Sequence, residues 1–127
     1  MQDRYLYRAK RIFDGKWAEG FLTKINRQLH IVNQSGENAA NQIDESTVCQ
    51  CTGLMDKNGK LIFENDILSA HLDEKYPEDI TYAKVIWWKN GFYTREKGSD
   101  DMHEIDSFTE QNYEVVGNIF DNLELLE

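Results

Sequence analysis

The sequence predicts a mainly β protein with little helix, and three observations carry that expectation. Short apolar runs alternate with polar residues at period two, which is the spacing of a half-buried strand. Glycine-containing turn pairs, Asp14-Gly15, Asn58-Gly59 and Asn90-Gly91, separate the runs. Almost no stretch repeats at 3.6 residues, the period that a helix packed on a core requires. Together they indicate a small mainly β fold built from hairpins.

Taken in order, residues 4–13 form a first strand, with Tyr5, Tyr7 and Ala9 on one face. Asp14-Gly15 turns the chain, and residues 16–23 return through Trp17 and Phe21. Gly20 marks a bulge or a close backbone approach in that return. Residues 29–32 make a short third strand. The polar, small-residue stretch 33–42 reads as a loop between subdomains, with a soft boundary near Asp44. This divides the chain into an N-terminal β-hairpin subdomain over residues 1–44 and a second subdomain over residues 45–127.

The second part is organised around residues 50–68. Thr52-Gly53 breaks the preceding extended run, because glycine enters left-handed backbone space without steric cost. Asp56-Lys57-Asn58-Gly59 is a strong hairpin signal. Leu61-Ile62-Phe63 and Asp66-Ile67-Leu68 follow as strands joined by a corner at Glu64-Asn65. Residues 73–79 form an acidic loop carrying the single proline, and residues 80–88 are the longest β-rich run. Asn90-Gly91 turns this run into residues 92–95. Ser107-Phe108-Thr109-Glu110 fits a capping box and one helical turn. Residues 114–117 close the sheet, and 118–126 form a terminal turn or short helix. The strand spacing from Cys49 onward suits a compact SH3-like barrel of about five strands.

One motif supports a family resemblance. Gln50, Thr52, Gly53, Leu54, Asp56, Lys57, Asn58, Gly59, Lys60, Ile62, Phe63, Glu64, Asp66 and Ile67, in that spacing, closely resemble the central signature of the YopX family. Tyr7-Arg8-Ala9 matches near the start, and Val115 to Asn122 with Leu125-Leu126 matches at the end. Two positions depart from the pattern: Asn65 stands where the family has glycine, and Cys51 where an aromatic is common. Asparagine tolerates left-handed backbone better than most residues, so the corner is expected to survive. The resemblance implies a small protein encoded by bacteriophages and prophages, with an SH3-type barrel in its C-terminal half. It implies no particular reaction.

Composition narrows the function classes. The net charge is −9 with 29% charged residues, a surface that repels phosphate backbones and opposes general nucleic-acid binding. No run of eighteen apolar residues and no N-terminal hydrophobic segment occurs, so a cytoplasmic protein without membrane association is expected. In a reducing compartment Cys49 and Cys51 are expected as thiols.

Each candidate site has a plainer reading beside it. Cys49-x-Cys51 puts two sulfurs on one strand face, and with His30, His71 or His103 they make a conceivable zinc set, but the spacing completes no known pattern. Asp56-x-Asn58-Gly59 has the wrong register for a calcium loop, since the glycine comes fourth. Glu64 and Asp66 read more simply as acceptors for turn amides than as an acid–base pair. Gly117 and Asn118 complete the set of residues read as fold determinants: Thr52, Gly53, Leu54, Asp56, Asn58, Gly59, Glu64, Asp66, Gly117 and Asn118. Lys10, Arg11 and Lys16 beside Phe13 and Trp17 form a weakly basic aromatic patch that could stack single-stranded nucleic acid.

Trp87-Trp88 is more informative. Adjacent strand residues point to opposite faces, so Ala83, Val85 and Trp87 form one apolar face and Tyr82, Ile86 and Trp88 another. Both faces require cover, one from the sheet interior and one from the N-terminal subdomain or another chain. Trp87, Trp88 and Tyr93 are accordingly the interaction candidates. The expectation is a non-enzymatic module that binds a host or phage protein, with homo-oligomerisation open and neither cofactor nor metal. The alternative is a nucleic-acid-associated regulator using the barrel or the basic hairpin.

Overall fold

A computed structural model describes residues 5–33 and 40–127. Among these residues the chain forms eleven strands, a single α-helix and short 3₁₀ turns, and the strands pair into two antiparallel sheets. The mainly β expectation therefore holds. The backbone separates into two compact units, the first ending at Gly53 and the second starting at Leu54.

In the first unit, β1 (Tyr7–Lys10) pairs with β2 (Trp17–Ile25), which pairs with β3 (Gln28–Asn33). Beyond β3 lies β4 (Ala40–Gln42), and β5 (Cys49–Met55) pairs with β1 on the other side. Among these five strands the sheet order is β4-β3-β2-β1-β5. The expected loop 33–42 lies outside the described residues over 34–39, and its far end is β4 rather than loop. Residue 4, the expected start of the first strand, also lies outside them.

Ile25 pairs with Gln28, leaving Asn26 and Arg27 as a two-residue turn with both φ angles positive, 52° and 68°. This is the type I′ geometry that matches strand twist. Gly20 makes a close approach, not a bulge: the pairing runs unbroken through it, and an added Cβ would sit 2.0 Å from the Val32 carbonyl oxygen. Ala9, Ala18, Ile31 and Ile43 form the core, with Tyr7, Leu22, Leu29 and Val48 packed around them. Asp44, the residue near which the sequence suggests a boundary, caps the 3₁₀ turn Glu45–Thr47, its carboxylate accepting from the Ser46 N–H and hydroxyl. Those bonds hold the Asp44 carboxyl below its ordinary range.

The second unit contains β6 (Leu61–Phe63), β7 (Asp66–Ala70), β8 (Thr81–Trp88), β9 (Gly91–Glu96), β10 (Met102–Glu104) and β11 (Glu114–Asn118). Five of these form a sheet in the order β10-β9-β8-β7-β11. No pairing among the described residues closes it into a ring. Ile62, Leu68, Ala70, Ala83, Val85 and Tyr113 form its core, joined by Leu72, Phe92, Ile105 and Val115. The helix α1 (Ser107–Asn112) is capped one residue earlier than the sequence suggests. Asp106 is the N-cap, and its side chain and that of Thr109 exchange hydrogen bonds with each other's backbone N–H.

Candidate functional site

The β8–β9 hairpin turns through Lys89 and Asn90, with φ angles of 45° and 72°, so that Trp88 lies directly opposite Gly91. This corrects the sequence expectation by one position. Both central residues of a type I′ turn need positive φ, and Asn90 takes the second of them while Gly91 opens β9. The lysine pays for its left-handed backbone in part by a contact, its ammonium lying 4.6 Å from the Trp88 ring centroid.

This turn sets four aromatic rings at the hairpin's tip. Trp87 lies opposite Phe92 and meets it edge-on at 4.9 Å and 70°. On the other face Trp88 meets Tyr93 at 5.4 Å and 80°. Edge-to-face pairs at these separations are attractive and favour this orientation of each indole. Further along β8, Ala83 and Val85 are fully buried, yet Trp87 is 51% and Trp88 40% exposed. The two-sided cover expected for this strand thus stops short of its tip. Sequence reasoning singled out Trp87, Trp88 and Tyr93 but passed over Phe92, whose place across from Trp87 follows only from the turn's true centre.

Of the signature carboxylates, Asp56 and Asp66 are occupied by backbone amides. Glu64, also expected to accept from turn amides, makes no side-chain hydrogen bond among the described residues. Asp56 is buried; Oδ1 accepts the N–H groups of Asn58 and Lys60, both at 2.9 Å, and Oδ2 accepts that of Val115 at 2.9 Å. Asn58 donates its amide to Glu114. Gly59 ends the loop in left-handed conformation, φ 81°, after a turn closed by its N–H to the Asp56 carbonyl. Asp66, fully buried, accepts from the Phe63 N–H at 2.8 Å across the corner, where Asn65 adopts φ 70° and Glu64 is partly exposed. Asn118 Oδ1 accepts from the N–H groups of Phe120 and Asp121, and Gly117 sits against Asn122. One expectation changes. Gly53, with φ 82°, does not end the extended run but lies inside β5 between Thr52 and Leu54, as a local kink.

Cys49 and Cys51 are buried thiols on one face of β5. The Cys49 thiol donates to the Thr47 carbonyl at 3.3 Å, and the Gly53 N–H donates to Cys51 Sγ at 3.4 Å. His30 and His71 each bond a nearby carbonyl, those of Gln28 and Pro77. Among the described residues no three His, Cys, Asp or Glu side chains gather as a metal site.

On the N-terminal hairpin, the Arg8 guanidinium lies 4.9 Å and the Lys10 ammonium 5.5 Å from the Trp17 ring centroid. Phe13 is almost wholly exposed. Arg11 is ion-paired with Asp14, which accepts from Nε and Nη2. That hydrogen bonding raises the Arg11 pKa, and together with the Lys16 N–H it lowers that of Asp14. The patch's positive charge is reduced accordingly.

The family model described as YopX protein matches residues 3–127. The chain belongs to the YopX family. The residues that carry the resemblance include those of the turn loop, the corner and β11, where Asp56, Asp66 and Asn118 bind backbone amides. Among solved structures, it is similar to the crystal structure of protein EF1440 from Enterococcus faecalis, with 23% identity and a TM-score of 0.56 over 95% of this chain and 96% of that one. This likeness shows the fold. A comparison with curated proteins gives no match. No helix among the described residues is long and apolar enough to cross a membrane.

Proposed function

We propose that this YopX-family chain is a non-enzymatic module that binds another protein through the aromatic tip of its β8–β9 hairpin. One observation carries the reading: Trp87 and Trp88 remain 51% and 40% exposed while each meets a ring partner edge-on. Large aromatic side chains already ordered in the free state lose little entropy on docking, which is why Trp and Tyr dominate interface energetics. The signature carboxylates support the same reading, because Asp56 and Asp66 accept hydrogen bonds from the fold's own amides. A phage or prophage setting and a cytoplasmic location accompany the proposal.

The test is affinity capture from host and infected-cell lysates with the native chain, Trp88→Ala and Phe13→Ala. A partner retained by the native chain and Phe13→Ala but lost by Trp88→Ala supports the module. Identical partner sets for all three remove the hairpin tip from the proposal.

The alternative, nucleic-acid binding through the first unit, draws on Arg8 and Lys10 flanking Trp17. It ranks second because the net charge is −9 and Arg11 is already paired with Asp14. A gel shift with single-stranded DNA or RNA that weakens with salt would promote it.

A further inference from the structure

On the face that carries Trp88 and Tyr93, the β8–β9 pair places Lys84 directly opposite Arg95. Side chains so placed are about 5 Å apart at Cβ, and like charges there repel. Lys97 follows on the same face, its N–H extending the pairing to the Tyr82 carbonyl. Among the described residues none of these three cations has a side-chain hydrogen bond or an ion pair. This occurs on a chain with 23 acidic residues against 14 basic ones, where acidic partners are plentiful. The cations line an open notch of about 250 Å³ together with Ser99 and Leu126. Glu96 is another lining residue, but it pairs with buried Ala83, so its carboxylate belongs to the opposite face, where it acts on Tyr113. Asp100 is the remaining acid that lines the notch. The Ser99 hydroxyl accepts from the Asp101 N–H and keeps its proton to donate.

Building on the docking surface proposed above, we infer that the Lys84–Arg95–Lys97 notch is a carboxylate subsite for an acidic side chain of the docked protein segment. An arginine fork beside a lysine suits a planar carboxylate. The notch and Trp88 are four strand positions apart, roughly 13 Å. An extended segment would therefore carry its acid about four residues from the apolar anchor that meets Trp88. Beside the notch, strand addition is closed to it, since β7 pairs with Thr81–Lys84 and β10 with Tyr93–Arg95. Nucleic acid fits less well, because the overall charge repels a polyanion and Lys89 and Tyr93 already contact the Trp88 ring.

The experiment selects a random displayed peptide library on the full chain and on a Lys84→Glu/Arg95→Glu variant. The native chain is expected to enrich Asp or Glu about four residues from an aromatic or branched apolar residue, and the charge-reversed variant Lys or Arg at that position. A selected acidic peptide should lose about tenfold in affinity for Lys84→Gln/Arg95→Gln. That neutral variant should unfold at the same or a higher temperature, since it relieves the opposed charges, so loss of fold cannot explain loss of binding. Pools of the same charge composition on both baits overturn the notch and leave the aromatic surface standing. Failure of both baits to enrich peptides overturns the docking surface and the notch together. Tighter binding of a single-stranded oligonucleotide than of the selected peptide also overturns the carboxylate assignment, in favour of phosphate.

Discussion

Asp56 Oδ2 accepts the backbone N–H of Val115 at 2.9 Å, bridging 59 positions of sequence. The same carboxylate closes its own hairpin loop through Asn58 and Lys60, so one buried anion ties a local turn to β11. Each hydrogen bond to a charged acceptor is worth about 1.5–3 kcal/mol, and a buried donor left unmade costs about as much. Asp56→Ala is therefore expected to lower unfolding free energy by roughly 3 kcal/mol or more, and Asp56→Asn, which keeps one acceptor oxygen, by about half that. Denaturant titration measures both. A loss below about 1 kcal/mol for Asp56→Ala would show that these amides find other partners.

Gly117 is required by a neighbour. A Cβ there would lie 2.4 Å from Asn122 Oδ1 and 2.8 Å from Asn122 Cβ, while that same Oδ1 accepts the Asn118 N–H. The pairing register of β11 with β7 also shifts between Val115 and Gly117, so the backbone here is already irregular. Gly117→Ala should cost about 1–3 kcal/mol through overpacking. Because the clash is with one residue, combining it with Asn122→Gly should cost less than the sum of the single changes by about 1 kcal/mol. Strict additivity in that cycle would assign the cost to the backbone of residue 117 itself.

Much of the fold was legible because its determinants are local. The turn loop at Asp56–Gly59, the corner at Asn65 and the long strand Thr81–Trp88 all follow from short-range chemistry. What escaped was set at a distance. β10 spans three residues, Met102–Glu104, and forms because β9 offers an edge beside it. The exposure of Trp87 and Trp88 depends on where cover by neighbouring strands ends, which alternation along one strand cannot report. The notch at Lys84 needed the cross-strand register that puts Arg95 opposite it.

The same register makes the hairpin turn testable. If Lys89 and Asn90 are the central pair, Asn90→Ala forces a residue with a Cβ and no amide into left-handed backbone, at a cost of about 1 kcal/mol. Asn90→Gly should be neutral or stabilising. Gly91→Ala should cost less than Asn90→Ala, since its nearest obstacle is the movable Tyr93 ring at 3.3 Å. Thermal unfolding of the three variants ranks them. Gly91→Ala as the worst of the three would return the turn to Asn90-Gly91.

Tyr113 supplies a prediction in pH. It sits in the second unit's core, and burial, reinforced by the Glu96 carboxylate, raises its phenol above the ordinary value of 10.0. On alkaline titration the unfolded chain releases this proton first, so the folded state holds more protons between the two pKa values. Stability from this group is thus full below about pH 10 and falls as pH rises toward the folded pKa. The Tyr113 hydroxyl makes no hydrogen bond among the described residues, so Tyr113→Phe should match the native chain near neutrality. Above pH 10 the phenylalanine variant should become the more stable of the two. A difference between their unfolding midpoints that stays constant from pH 7 to beyond pH 10 would mean that Tyr113 ionises as freely in the fold as outside it.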